Sequence, residues 1–432
     1  MTNEGTRPIV TTLGRKSNRV FYGWWVVLAS AIGLALHFGP IIVPTFGVFL
    51  KPLSHEFGWT RAQTSMAISL CALTLTMSVP FIGRLVDYAG ARRVILAATS
   101  FFGLSVFALA FLSNHIWQFY AVYIVIGIAA SGTTPVPYSK VITRWFDRKR
   151  GLALGLPMAA SSLSFTLMPF VAQVLIAARG WRHAYMIIGA MVVGVAIPVV
   201  ALLLTETPRQ IGLEPDGGIL DHAEVPIHLE EDVALSFAEA RHTGTFWLIV
   251  GSFFLMSVGF HACIIHLVPL LTDRGISPGN AALAASLVGA GGFLARMLVG
   301  YLLDFFFAAS VAACLFFAST MGLFFLWTGV TGYLPFAAAF LIGVGQGAEL
   351  DIIPYMVSRY FGLQAFAEIY GYLFAVFTLG GVVGPMLMGM WFDATGSYGL
   401  ILGVLAIGTL AAVGLMTRLG PYRVFKPALQ PA

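Results

Sequence analysis

A chain of 432 residues in which 58% are hydrophobic and only 10% are charged, with a mean hydropathy of +0.87, cannot clothe a water-soluble core of that size. Lipid is therefore the expected solvent for most of its surface. The net charge of +5 is spread over short loops between apolar runs, a distribution that reads as membrane topology and argues against nucleic acid as a partner.

The first apolar run, from Phe21 to Leu50, exceeds the roughly 7–15 residues of a signal-peptide core and is read as a retained helix. Spanning the hydrocarbon takes about 20 apolar residues. Twelve segments of that kind follow one another at about 22–49, 61–83, 94–112, 117–143, 151–178, 183–204, 244–271, 280–304, 309–329, 332–358, 367–391 and 398–418. The predicted organisation is a tail (1–20), a six-helix bundle (21–204), a linker (205–243) with Glu230, Glu231 and Asp232 in a row, a second six-helix bundle (244–418) and a tail (419–432). Arg7, Arg15, Lys16, Arg19, Arg92, Arg93, Arg148, Lys149, Arg150, Arg423 and Lys426 then share one side, against Lys51, Arg61, Arg179, Arg182 and Arg274 on the other. The richer side is assigned to the cytoplasm, with both termini, in a multi-pass protein of the cell membrane. Cys71, Cys263 and Cys314 all fall in apolar runs, so neither a disulfide framework nor a metal cluster is indicated and no cofactor is expected.

The two bundles repeat each other at an offset of roughly 217 positions, as in carriers built from duplicated halves. Gly83-Arg84-Leu85-Val86-Asp87 returns as Gly300-Tyr301-Leu302-Leu303-Asp304. Pro137-Tyr138 returns as Pro354-Tyr355, each followed by an arginine, an aromatic residue and Phe; Gly155 and Pro169 return as Gly371 and Pro385.

The run Gly83-Arg84-Leu85-Val86-Asp87-Tyr88-Ala89-Gly90-Ala91-Arg92-Arg93 resembles the loop between helices two and three of the major facilitator superfamily. The resemblance implies an all-α membrane protein of two pseudo-symmetric six-helix bundles. It also implies a cytoplasmic latch built on Gly83, Asp87, Gly90, Arg92 and Arg93, with Asp304 as the repeat of Asp87. In physical terms Asp87 at a membrane edge can meet a helix N-terminus or the nearby arginines. Within the superfamily, Arg144-Trp145-Phe146-Asp147-Arg148-Lys149-Arg150-Gly151 is similar to the signature entering helix five of monocarboxylate transporters and oxalate/formate exchangers. Phe21-Tyr22-Gly23-Trp24-Trp25 is similar to their helix-one signature, except that Tyr22 replaces the acid of the eukaryotic members.

Ionisable side chains inside spans are costly unless paired or hydrated, so each is a functional candidate. Arg296 lies eight residues before Asp304, hence roughly 12 Å into the membrane at 1.5 Å per residue. A forked, permanently charged guanidinium suits a carboxylate ligand, and the resemblance implies the same, because those carriers use a helix-eight arginine for the substrate anion. The alternative is a permanent salt bridge to Glu349 or Asp351, which lie at similar depth. Either carboxylate could carry a coupling proton; two positions apart on a helix, they point to nearly opposite sides, and Asp351 is the choice for the cavity. His37, His261 and His266 are further candidates for substrate or protons, as is Tyr355, although an isolated histidine in a helix is more often a packing residue. Lys140 reads as snorkelling to the interface, or else as a second anion contact.

The expectation is a transporter of small organic anions, monocarboxylates or aromatic carboxylates, driven by protons and functional as a monomer. The alternatives are exchange of organic anions, efflux of hydrophobic compounds, or a sensor that transports nothing. No His-Glu-x-x-His, Gly-x-Ser-x-Gly or P-loop pattern supports an enzyme.

Overall fold

In a computed structural model, residues 21–59, 61–217, 234–329 and 332–422 are described, and among them the regular structure is helical throughout. The basic residues of both tails, the acidic run Glu230 to Asp232, and the side chains of Lys51 and Arg61 lie outside the described residues. Among the described residues eleven helical stretches are long and apolar enough to cross a membrane, and the longest, Arg150–Leu203, is 54 residues and holds two crossings. Its break falls at Gly180, whose φ of 80° and ψ of 165° end the helical path; a left-handed φ of this kind favours glycine. Twelve crossings result, since helices are the open-ended structures that satisfy every backbone group in hydrocarbon.

Two spans differ from the continuous helices expected. The first is Gly23–Ala35, then Phe38–Ile42, then Phe46–Phe57, with Pro44, which lacks an N–H, in the second interruption. The fourth stops at Ser131 and restarts at Pro135, a residue suited to the first helical position because its missing N–H would be unpaired there anyway. The remaining spans are Arg61–Ala89 (second), Ala91–Ala108 (third), Gly244–Asp273 (seventh), Pro278–Phe305 (eighth), Ala308–Trp327 (ninth), Leu334–Tyr360 (tenth), Phe366–Thr395 (eleventh) and Gly399–Thr417 (twelfth).

Packing repeats between the halves as the sequence does. The first span packs on the fifth as the seventh does on the eleventh, the second on the fourth as the eighth does on the tenth, and the third on the sixth as the ninth does on the twelfth. Small residues let backbones approach closely in lipid: a Cβ on Gly347 would stand 2.1 Å from the Gly292 carbonyl oxygen. The halves meet along two seams, second span on eleventh and fifth on eighth. At these seams a Cβ on Gly83 would stand 2.2 Å from the Ala367 oxygen, and one on Gly151 2.3 Å from the Gly300 oxygen.

On the face opposite the linker, the extension Phe46–Phe57 is tied to the start of the sixth span. Glu56 accepts from Trp181 Nε1 at 2.6 Å and from Arg182 Nη2 at 2.6 Å. Arg182 also donates to the Ala110 and Leu112 carbonyls and lies 4.4 Å from the Trp181 ring centroid. The Trp181 hydrogen bond, aided by Arg182, holds the Glu56 carboxyl below its ordinary value of 4.5. A carboxyl lowered on folding contributes stability that is complete above about 4.5 and is lost as pH falls through the lower folded value. The thermal midpoint of the purified protein is therefore expected to fall more steeply with acid, below pH 4.5, than that of Glu56→Gln. The difference is small, since both side chains are about two-fifths exposed and solvent screens the pair.

Candidate functional site

Two aspartates at equivalent positions bind the halves together. Asp87, at the end of the second span, accepts from the backbone N–H groups of Ala367 (3.1 Å) and Glu368 (2.7 Å), which open the eleventh span. Asp304, at the end of the eighth, accepts from those of Gly151 (2.6 Å) and Leu152 (3.2 Å), which open the fifth. The first N–H groups of a helix have no intrahelical acceptor and carry the positive end of its dipole, so a carboxylate is their natural partner. The 217-residue repeat thus produces a reciprocal clasp, each half closing on the other's helix start. Around it, Arg84 donates to Glu368 at 2.7 Å, Arg359 to Asp147 at 2.9 Å, and buried Arg150 to Ser358 at 3.1 Å.

Of the residues assigned to the latch, Gly83, Asp87 and Asp304 lie in this clasp and the arginines after Asp87 do not. Gly90, at φ 92°, precedes and caps the third span. Arg92 turns to its own half, its N–H bonded to Glu206 at 2.8 Å and its guanidinium to the Ala201 carbonyl. Arg93 is exposed and has no described polar contact. The cation on Asp87 is Lys140, 2.7 Å away, 1% exposed and also bonded to the Val86 carbonyl at 3.1 Å. Lys140 therefore does not snorkel, because a buried carboxylate lies within its reach.

About 12 Å further into the membrane, at the helical rise per residue, Arg296 joins both halves. Toward its own half, Nε donates to the Gly347 carbonyl at 3.2 Å and lies 3.5 Å from Asp351 Oδ2. Toward the other, Nη1 contacts the Ser162 hydroxyl and the Met158 carbonyl of the fifth span. Asp351 is fully buried and faces the eighth span; Arg296 keeps 13% of its side chain exposed, so the guanidinium is paired yet reachable. Its contacts with Asp351 are Coulombic, since neither oxygen of that carboxylate is hydrogen-bonded among the described residues.

Glu349 is also fully buried, with neither oxygen hydrogen-bonded among the described residues. It lies one turn after Gly345, which packs on Ser319 of the ninth span, so it belongs to the interior of the second bundle and not to the seam at Arg296.

The other candidates are dispersed. His37 sits at the first break, Nδ1 2.6 Å from the Leu34 carbonyl. His261 is 3.1 Å from the Ser257 hydroxyl, which itself donates to Phe377 of the eleventh span at 2.6 Å. His266 lies between the Pro385 carbonyl (3.2 Å) and the Tyr398 hydroxyl (3.4 Å). Tyr355 places its ring 5.4 Å from the Arg359 guanidinium, in the clasp layer. None of these four has a described contact with Arg296.

Residues 23–385 match the profile of the Major Facilitator Superfamily. The chain is a member of that superfamily. It is thus a multi-pass membrane transporter and not an enzyme. It is 26% identical to human monocarboxylate transporter 11 over 87% of this chain and 79% of the relative. It is 25% identical to the MFS-type transporter YcxA of Bacillus subtilis over 86% of this chain and 90% of that protein. Two solved superfamily structures share the fold at 15% identity: the Escherichia coli fucose:proton symporter, TM-score 0.66 over 92% of this chain and 97% of that one, and the human organic anion transporter MFSD10, TM-score 0.67 over 91% and 99%.

Several members of the site escape sequence reasoning in this superfamily protein. Ser162 and Met158 reach Arg296 from the opposite half, a contact no local pattern reveals. Arg150 reads as a topology charge, and Asp147 and Arg359 lie far apart in sequence, until the fold brings the three together. The sequence signal for Ser162 is weak, because Ser161, Ser164 and Thr166 lie beside it in the same span.

Proposed function

We propose that this protein carries small organic anions, monocarboxylates or aromatic carboxylates, by proton-coupled alternating access, as a monomer in the cell membrane with its termini and linker cytoplasmic. The observation that carries the reading is Arg296, a reachable guanidinium deep in the membrane that bridges the halves and is paired with Asp351. The name of the monocarboxylate relatives, which align over most of the chain, supports the substrate class.

In this reading the clasp holds the cytoplasmic side shut while a carboxylate enters from outside. The anion takes the guanidinium face that Ser162 and Met158 occupy, and competes with Asp351 for the same charge. Asp351 then accepts a proton, so that anion and proton cross together; this is differential binding to two states of one site. Breaking the Arg296 contacts to the fifth span and the two aspartate clasps opens the cytoplasmic side. Glu349, His37, His261 and His266 remain secondary candidates for the proton.

Purified protein in proteoliposomes is expected to accumulate a labelled monocarboxylate, from a panel that includes aromatic acids, when the outside is acid, and to stop when a protonophore is added. Asp351→Asn should keep exchange of internal for external substrate while losing gradient-driven accumulation. Export of lipophilic cations without competition by organic acids would replace this reading with an efflux function.

A further inference from the structure

We propose that a basic cleft on the linker face of the first bundle, separate from the Arg296 site, binds a phosphate-bearing anion: the headgroup of an acidic membrane lipid or a free phosphate compound. The cleft measures about 570 Å³ and lies between the turn joining the second and third spans, the end of the fourth, and the segment that follows the sixth. Arg92, Arg93, Lys140 and Arg144 line it against the two carboxylates Asp87 and Glu206, an excess of two positive charges.

Both carboxylates are already engaged. Asp87 holds Lys140 and the start of the eleventh span, and Glu206 holds the Arg92 N–H. The Arg92 guanidinium is held by the Ala201 carbonyl. What remains is Arg93, exposed, and Arg144, half-buried, neither with a described polar partner. The third span adds to their field, because it begins at Ala91 with no acidic residue in its first turn and with Arg92 and Arg93 there instead. A positive helix end normally attracts acids; cations placed on it leave a field that an added anion would relieve. Arginine pairs with phosphate oxygens through two parallel hydrogen bonds.

The location favours a ligand at the membrane edge. Tyr88, on the cleft wall, is 92% exposed, in the manner of aromatic side chains at headgroup level, and basic pockets between spans hold anionic headgroups. The competing explanation is that the whole face is diffusely positive, and a charge-matched control separates the two.

The full-length protein in phosphatidylcholine mixed micelles is to be titrated, at constant ionic strength, with phosphatidylglycerol in one arm and glycerol phosphate in the other. The thermal midpoint should rise by about 2–4 °C through mass action on the folded state. The rise should vanish in Arg93→Gln with Arg144→Gln and persist in Arg148→Gln with Lys149→Gln, two exposed cations that do not line the cleft. A rise with phosphatidylglycerol alone identifies the ligand as lipid; a rise with glycerol phosphate as well identifies the headgroup chemistry as sufficient. Where the double variant is not recovered, lipid retained in native mass spectra of the Arg93→Gln and Arg144→Gln single variants serves instead, each expected to retain less than wild type. No rise with either probe, or an equal loss in the control pair, overturns the site.

Discussion

Arg296→Lys is expected to lower carboxylate uptake by roughly 30-fold to several thousandfold, in protein that folds and elutes as wild type. The range corresponds to the about 2–5 kcal/mol lost when one partner of a desolvated charge pair, here Arg296 with the bound substrate carboxylate, is compromised, at 1.4 kcal/mol per tenfold. Lysine keeps the charge that Asp351 faces, so the buried carboxylate is not stranded. It cannot keep the geometry: the guanidinium contacts the Gly347 carbonyl through Nε while Nη1 faces Ser162 and Met158 on the other half. A single ammonium nitrogen does not reach both sides, nor does it present a planar pair of donors to an incoming carboxylate. Uptake kinetics in proteoliposomes check the point, with the loss expected mainly in affinity. Wild-type uptake by the lysine variant would remove Arg296 from substrate binding and leave it as a bridge between the halves.

The contrast between Arg296 and the histidines shows how far sequence reasoning reaches in such a protein. The twelve crossings are legible because hydrocarbon imposes length and apolarity on each segment, and the boundary errors fall at Pro44 and Pro135, where prolines interrupt or restart the helix. The aspartate clasp is legible because duplication writes it twice at a constant offset. Depth and helical phase narrow the partner of Arg296 to Glu349 or Asp351 but do not choose between them, since that depends on which face of the tenth span meets the eighth. What does not follow is anything set by the rotation of one bundle against the other. Ser162 is one of several polar residues in the fifth span, and Asp147 and Arg359 lie 212 positions apart, until the two bundles meet; Lys140 reads as an interfacial cation because its burial depends on how the second span packs on the fourth within the first bundle. His261 and His266 both lie in the seventh span, yet local carbonyls and hydroxyls take up Nδ1 of His261 and both ring nitrogens of His266.

The two clasps are symmetric in backbone but not in charge, and this sets the sign of a second large effect. Asp87 has Lys140 beside it, whereas the position equivalent to Lys140 in the second half is Val357, and among the described residues Asp304 has only backbone N–H partners at hydrogen-bonding distance. Asp87→Asn therefore leaves an ammonium that is 1% exposed without its counter-charge, a change that costs about 3–5 kcal/mol. Asp304→Asn strands no cation and removes only charge-assisted hydrogen bonds, a loss of about 1.5–3 kcal/mol. Thermal midpoints in detergent should fall in that order. Adding Lys140→Met to Asp87→Asn should recover much of the first loss, since an apolar side chain in the same space carries no charge to strand. The double-mutant cycle then reads the coupling directly. If the two aspartate variants prove equally stable, or the methionine fails to rescue, Lys140 does not depend on Asp87 and the first clasp rests on the helix start alone.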